Sequence, residues 1–348
     1  MDGLPHKATM QENFEHATLA SAKFADLLIP LERFDPAKQR LPSFQNFYIP
    51  ERRISVPSMV APINYLSDIN GLRDSIATKY TAGNEIKAFH DYGGARYRLS
   101  SFYDVARGDF VACRKILSPL PKFREIKGLK PKGIEFLLDL LSPAAGRGGL
   151  VLFAGKSGVG KTTTMFSALR ECLIRYGGVA YTVENPTEIP MSGYHKMGNC
   201  FQIDASKSSM AKEIAEVRRR GNNYLLVGEI QYPDEAMEVV QAALDGTVVF
   251  ATTHGNNIIG ALERLVSILA SRSDKRMALS NLSQGLLAVI HQKRGRFDEA
   301  GDWTFSSEML FVGEGSSVPG VISNGELAML QDVIFAQNQK LALGSSPT

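Results

Sequence analysis

From residue 149 onward the chain alternates short, continuous apolar runs with stretches in which apolar residues recur every three to four positions. GLVLFAG (149–155), GVAYTV (178–183), NYLLVG (223–228) and TVVFATT (247–253) are runs of the first kind, and each predicts a strand buried on both faces. TTTMFSALRECLIRYG (162–177) and MAKEIAEVRRRG (210–221) have the helical period. Strand and helix in alternation predict a mostly parallel sheet with helices on both faces, and ligands bind such sheets at the carboxyl ends of the strands. After His254 the pattern predicts helices over Ile258–Ala270 and Lys275–His291, a hairpin around Trp303–Phe311, and a last helical run over Asn324–Leu343.

The first 118 residues read differently. Phe47–Ile49, Arg96–Phe102 and Phe110–Ile116 are strand-like, Leu66–Tyr80 is helical, and together they predict a small α+β domain. The stretch LSPLPKFREIKGLKPKG (117–133) is rich in proline and lysine, which resist packing into a core, and is expected to be a linker. The expected organisation is therefore a domain at 1–118, a linker at 119–132 and a second domain at 133–348, helical from about residue 256.

Composition narrows the function classes. A length of 348 residues favours at least two cores, and 44% apolar with 22% charged residues is the balance of an ordinary globular protein. The formal charge of +3 is too small to call for a polyanionic partner, so direct nucleic-acid binding is not expected. Cys113, Cys172 and Cys200 are far apart and form no CxxC pair, which points to free thiols in a reducing compartment, the cytoplasm. No apolar stretch is long enough to span a bilayer, and the start MDGLPHKATMQENFEHA lacks the apolar core of a signal peptide. Work at a membrane is then expected to be peripheral.

Chemistry enters at Gly155–Thr162, GKSGVGKT, which satisfies GxxxxGK[ST] between a predicted strand and a predicted helix. In such a loop the backbone N–H groups of Gly155, Lys156, Ser157, Gly158, Val159, Gly160, Lys161, Thr162 and Thr163 surround phosphates. Lys161 reaches the β and γ phosphates, and the Thr162 hydroxyl holds Mg²⁺, so ATP and Mg²⁺ are the expected ligands. Hydrolysis also needs a carboxylate to organise the cation and a group to act on water. Glu229 follows the strand NYLLVG and suits the first role. TVENPTE (182–188) ends another strand and offers Glu184 and Glu188, and His254 ends a third, where imidazole can donate to a γ-phosphate. The basic run Arg218–Arg220 and KRGR (293–296), the latter in a turn-like segment, read as solvated surface, while Arg264 reads equally as a brace of the site or as exposed.

In this order and spacing, GKSGVGKTTT, VENPTE, LLVGE and VFATTH followed by ERLV resemble the Walker A, Asp box, Walker B and His box of the type II and type IV secretion and pilus ATPases. The resemblance runs from about Gly93 to His291. It implies a RecA-like P-loop core of the additional-strand type behind an N-terminal PAS-like domain. It further implies a homohexamer that hydrolyses ATP bound between its domains, docked on inner-membrane secretion or pilus platform proteins. Among members, the pilus-retraction and the type IVB secretion or conjugation branches are most similar; the tetracysteine zinc module of type II assembly ATPases is absent. By resemblance Glu188 activates water, with Glu184 shaping the box. Arg98 and Arg114 in RYRLSSFYDVARGDFVACRKIL match arginines that approach the phosphates, with one extra residue between them, and Arg219 matches one that faces a neighbouring subunit. Two departures stand out: Asn185 replaces an aspartate, and Gln231–Tyr232 replaces Arg-Asp after the Walker B glutamate. Two other classes stay open: a nucleotide-gated assembly scaffold with little hydrolysis, and a RecA-like DNA translocase.

Overall fold

A computed structural model describes residues 19, 26–31, 41–49, 54–80, 85–116, 119–297 and 303–347. The start sequence inspected for a signal peptide and the boundary residue Ser118 lie outside them. The chain divides into two compact units, Met1–Ser118 and Pro119–Thr348.

In unit 1 the elements are β1 (Asp26–Pro30), β2 (Ser43–Ile49), β3 (Ile54–Val60), α1 (Leu66–Lys79), β4 (Lys87–Tyr92), β5 (Ala95–Asp104) and β6 (Gly108–Ile116). The strands form one sheet in the order β3-β2-β1-β6-β5-β4, and every described pairing is antiparallel. One face is closed by α1, whose Ile69, Leu72 and Ile76 are fully buried among Leu27, Ile29, Phe44, Tyr97 and Val111. The spacing of Ile69, Leu72 and Ile76, three to four residues, is the period a one-sided helix requires.

Unit 2 runs α2 (Pro131–Leu140), β7 (Gly149–Ala154), α3 (Lys161–Tyr176), β8 (Gly178–Glu184), β9 (Gly193–His195), β10 (Gly198–Asp204), α4 (Met210–Arg218), β11 (Tyr224–Val227), α5 (Pro233–Leu244), β12 (Val248–Thr253), α6 (Ile258–Ala270), α7 (Lys275–Gly285), β13 (Leu286–Phe297), β14 (Trp303–Phe311), α8 (Val318–Ser323) and α9 (Leu330–Ala342). Its sheet order is β14-β13-β7-β12-β11-β8-β10-β9. From β13 to β10 every neighbouring pair is parallel, and antiparallel β14 and β9 close the two ends. All residues of β7, β11 and β12 are buried, as expected of continuous apolar runs covered on both faces.

Two expectations fail in instructive ways. Lys275–His291 is not helical throughout: α7 stops at Gly285, and LLAVIHQKRGRF becomes β13 beside β7. A short apolar run such as LLAVI has no period that separates a buried helix from a buried strand, and here the open edge of β7 decides it. Trp303–Phe311 is correspondingly one strand, antiparallel to β13, rather than a hairpin of its own. Residues 119–130 also pack more closely than a proline-rich and lysine-rich stretch implies. Phe123 is buried, Ser167 Oγ on α3 donates to the Pro121 carbonyl (2.9 Å), and Arg170 Nη1 donates to that of Leu120 (3.1 Å).

Phe250 on β12 sits at the middle of this packing, fully buried, with its ring centroid 6.4 Å from that of Phe153 and 6.5 Å from that of Tyr224. Replacing it with alanine removes those contacts and leaves a cavity that a close-packed sheet cannot collapse. Phe250→Ala is therefore expected to lower the unfolding free energy of unit 2 by about 3–5 kcal/mol. Urea titration followed through Trp303, the chain's one tryptophan, reads this directly; a loss below about 1 kcal/mol contradicts the packing argument.

Candidate functional site

Parallel registration brings the carboxyl ends of β7, β12, β11 and β8 to one edge of the unit 2 sheet. Ala154 pairs with Thr253, Ala251 with Val227, and Val227 with Val183. The residues that follow these strands are the phosphate loop, His254, Gly228–Glu229, and Glu184 with the turn beyond it. Lys161, Thr162, Glu184, Glu188, Glu229 and His254 thus belong to four neighbouring strand ends. Arg98 and Arg114 belong to unit 1, where they face each other as register partners on β5 and β6. Arg114 holds Asp26 through both carboxylate oxygens, at 2.9 and 3.0 Å.

The loop turns on glycines. Gly158 (φ +74°) and Gly160 (φ +95°) have left-handed backbones that side chains disfavour, and Gly160 leads directly into the first turn of α3. At Gly155 the constraint is space as well: a Cβ there would lie 2.5 Å from the Gln292 carbonyl of β13. Lys156, Ser157 and Gly158 are exposed, Val159 is buried, and Gly160, Thr162 and Thr163 are half-buried. The Lys161 ammonium is buried and donates to the carbonyls of Gly155 (2.9 Å) and Lys156 (3.0 Å). Burial lowers its pKa, opposed by the charges of Glu229 and Glu188. An ammonium has three protons, so one remains for a ligand beyond the two carbonyls.

Glu229 is fixed from both sides. Gly228 N donates to the Val183 carbonyl (3.1 Å), Thr252 Oγ1 to the Gly228 carbonyl (2.6 Å), and Ile230 N to the Thr252 carbonyl (2.9 Å). Gln231 Nε2 donates to Glu229 Oε2 at 2.9 Å. His254 Nε2 lies 2.8 Å from Oε1 in an ion-pair contact that lacks hydrogen-bond alignment, so this buried oxygen has no hydrogen-bond donor among the described residues. A carboxylate oxygen in that condition fits a cation. Among the described residues no group of three or more His, Cys, Asp or Glu could hold a metal ion.

Glu184 and Glu188 differ sharply. Glu184 is 2% exposed; its Oε1 accepts from Thr182 Oγ1 (2.9 Å) and Gln202 Nε2 (3.2 Å), and its Oε2 accepts from Glu188 N (2.8 Å). Burial raises its pKa to about 7 against the pull of those three donors. Glu188 is half-buried at the end of the turn, and Asn185 is exposed.

Several residues of this edge carry no sequence signal. Gln202 on β10 ties down the turn after β8, and Gln292 Nε2 donates to Thr164 Oγ1 (2.9 Å) beneath the phosphate loop. Arg294 belongs to β13 rather than to a turn; its Nη1 is 3.3 Å from the Gly158 carbonyl and its guanidinium stacks 4.2 Å over Trp303. Glu235 was legible: it follows Pro233 at the third helical position and accepts from Gln231 N (2.9 Å) and Tyr232 N (3.1 Å), capping α5. Arg218 pairs with Glu238 on α5 and with Asp245 just beyond its end, Arg219 with Glu216, and Arg264 is exposed.

A twitching motility protein of Neisseria gonorrhoeae is 25% identical over 286 residues, 81% of this chain and 73% of that protein. Type II secretion system protein E of Klebsiella pneumoniae is 32% identical over 145 residues, 42% of this chain and 27% of that protein; the chain thus matches about a quarter of its length. The crystal structure of the pilus retraction motor PilT with bound ADP superposes with a TM-score of 0.67 at 20% identity, covering 89% of this chain and 85% of that one, a likeness of fold. The profile of the type II/IV secretion system proteins matches residues 101–300. More than half of the sequence lies within that match, and the chain belongs to the type II/IV secretion system protein family.

Proposed function

We propose that the chain is an ATP-hydrolysing motor that works as a homohexamer on inner-membrane secretion or pilus platform proteins, from the cytoplasmic side. The observation that supports this most is the buried Lys161 ammonium, held against two loop carbonyls within electrostatic reach of Glu229 and Glu188. In this reading the backbone N–H groups of residues 155–163 and the N-terminus of α3 receive the phosphates, and Lys161 contributes its third proton to the β and γ oxygens. Bound Mg²⁺ would supply charge neutralisation to the phosphates. Thr162 and Glu229 would hold it, with Gln231 and His254 keeping the Glu229 carboxylate in place. Glu188 orients and deprotonates the attacking water. Glu184 does not reach substrate; it holds the Glu188 backbone. Arg98 and Arg114 are the phosphate-sensing arginines proposed from the resemblance, and hydrolysis drives force because two conformations bind the nucleotide differently.

These roles separate in kinetics. Lys161→Ala is expected to abolish measurable nucleotide binding and turnover. Glu188→Gln is expected to keep the ATP affinity within about threefold while kcat falls by a factor of about 10²–10⁴, the range of a lost acid–base group. Phosphate release and equilibrium binding of a fluorescent ATP analogue measure both, and a Glu188→Gln variant with wild-type turnover removes that residue from the role. Light scattering with a non-hydrolysable analogue is expected to give six chains per particle; six chains with near-zero turnover would favour the scaffold reading.

Glu184 adds a pH signature. Its pKa rises from 4.5 to about 7 on folding, so the folded state holds this proton more tightly than the unfolded chain. The stability that proton provides is complete below about pH 4.5 and is lost as pH rises through 7, in total on the order of 3 kcal/mol. Melting curves of wild type and Glu184→Gln between pH 5 and 8.5 are expected to converge at the acid end and diverge at the alkaline end, with the wild type the one that loses stability.

A further inference from the structure

The turn that carries Glu188 has no strand or helix of its own between Glu184 and Gly193, so its backbone groups depend on side chains. One residue satisfies three of them. Gln202 Oε1 accepts from Met191 N (2.6 Å) and Ser192 N (2.9 Å), while its Nε2 donates to the Ile189 carbonyl (2.8 Å) and to Glu184 Oε1 (3.2 Å). Both donors and both lone pairs of the amide are used. Glu184 Oε2 in turn takes Glu188 N at 2.8 Å. Glu188 is therefore held at its own N–H from one side and at the carbonyl of the next residue from the other. Ile189 and Met191, at 6% and 2% exposed, anchor the same stretch in the core.

We propose that Gln202 is a positioning residue for ATP hydrolysis: through this clasp on Glu184 and residues 189–192 it fixes the backbone from which Glu188 acts on water. The proposal rests on the reading of Glu188 given above. None of the four bonds goes to the phosphate loop, so Gln202 acts on the chemical step and not on nucleotide capture. The amide is specific to this task because a carboxylate at 202 has no donor for Ile189 or Glu184, and an apolar side chain has neither donors nor acceptors. A displacement of about 1 Å in a reacting group costs about a hundredfold in rate, so loosening the clasp is expected to be visible in kcat.

The test compares Gln202→Met and Gln202→Glu in two backgrounds, wild type and Glu188→Gln, using the full chain, steady-state ATP turnover and binding of a fluorescent ATP analogue. Gln202→Met is expected to lower kcat about 10- to 100-fold while KM and analogue affinity stay within about twofold. In the Glu188→Gln background the same substitution is expected to cost less than about twofold, because the group it positions is already gone. An equal loss in both backgrounds, or a loss of affinity matching the loss of kcat, makes Gln202 a general fold anchor and overturns the proposal, as does unchanged kcat. Gln202→Glu keeps the size and the two acceptor bonds and reads the same comparison if the methionine variant does not fold. Should Glu188→Gln itself turn over at the wild-type rate, the reading of Glu188 fails, a result separate from any behaviour of Gln202.

Discussion

Parallel pairing of β7, β12, β11 and β8 is the constraint on which the rest of unit 2 depends, because it sends four chain reversals to one edge. In a parallel sheet each strand must leave the edge where its neighbours also leave, and the polar backbone released there needs partners. Glycine supplies the turns at 155, 158 and 160, and side chains supply the partners: Lys161 for the loop carbonyls, Thr252 for Gly228, Glu235 for the start of α5, Asn257 for Gly260 N. Chemistry and structural satisfaction thus draw on the same groups. In the proposed reading, the lysine that braces two carbonyls is also the one that meets a phosphate.

The edge also sorts its carboxylates by environment. Glu184 lies inside, with three donors and little water, and its acidity is that of a group near neutrality. Glu188 and Glu229 lie further out, beside the Lys161 charge that both of them favour. In the proposed reading, two carboxylates in one turn with such different surroundings carry different work: the buried one shapes the turn and the half-buried one is left available to a ligand.

How much of this was legible in the sequence follows from what each residue depends on. The GxxxxGK[ST] motif, the polar residues after strand ends and the buried strands marked by continuous apolar runs are local patterns, set by a few neighbouring residues. β13 was not, since the identity of LLAVI as strand is settled by the exposed side of β7, more than 130 positions away in the chain. Phe123 in a stretch rich in proline and lysine was hidden for the same reason: its partner surface is α3. Gln202 and Gln292 are neutral residues in ordinary strands, and only tertiary contact with the turn after β8 and with Thr164 gives them meaning. Arg294 was legible as charge but not as a neighbour of Gly158.

The departures from the family pattern take on a physical sense in this setting. Gln231 stands where an arginine is usual, and its amide donates to Glu229 Oε2 without adding positive charge beside the carboxylate. A guanidinium at that distance would compete with a bound cation for the same oxygens and hold part of their charge. A neutral donor orients the carboxylate and leaves its charge to the cation. Asn185 acts in the same direction: it removes a negative charge from the exposed side of the turn, where a further carboxylate would raise the cost of ionising Glu184 and Glu188 together. With Tyr232 standing where a second aspartate is usual, the three exchanges remove one positive and two negative charges, so the edge is less negative than the family pattern by one charge; of the two amides, that of Gln231 keeps a hydrogen bond to Glu229. That one-charge difference acts at longer range than the hydrogen bonds do, and so bears on whatever the outer face of this edge meets.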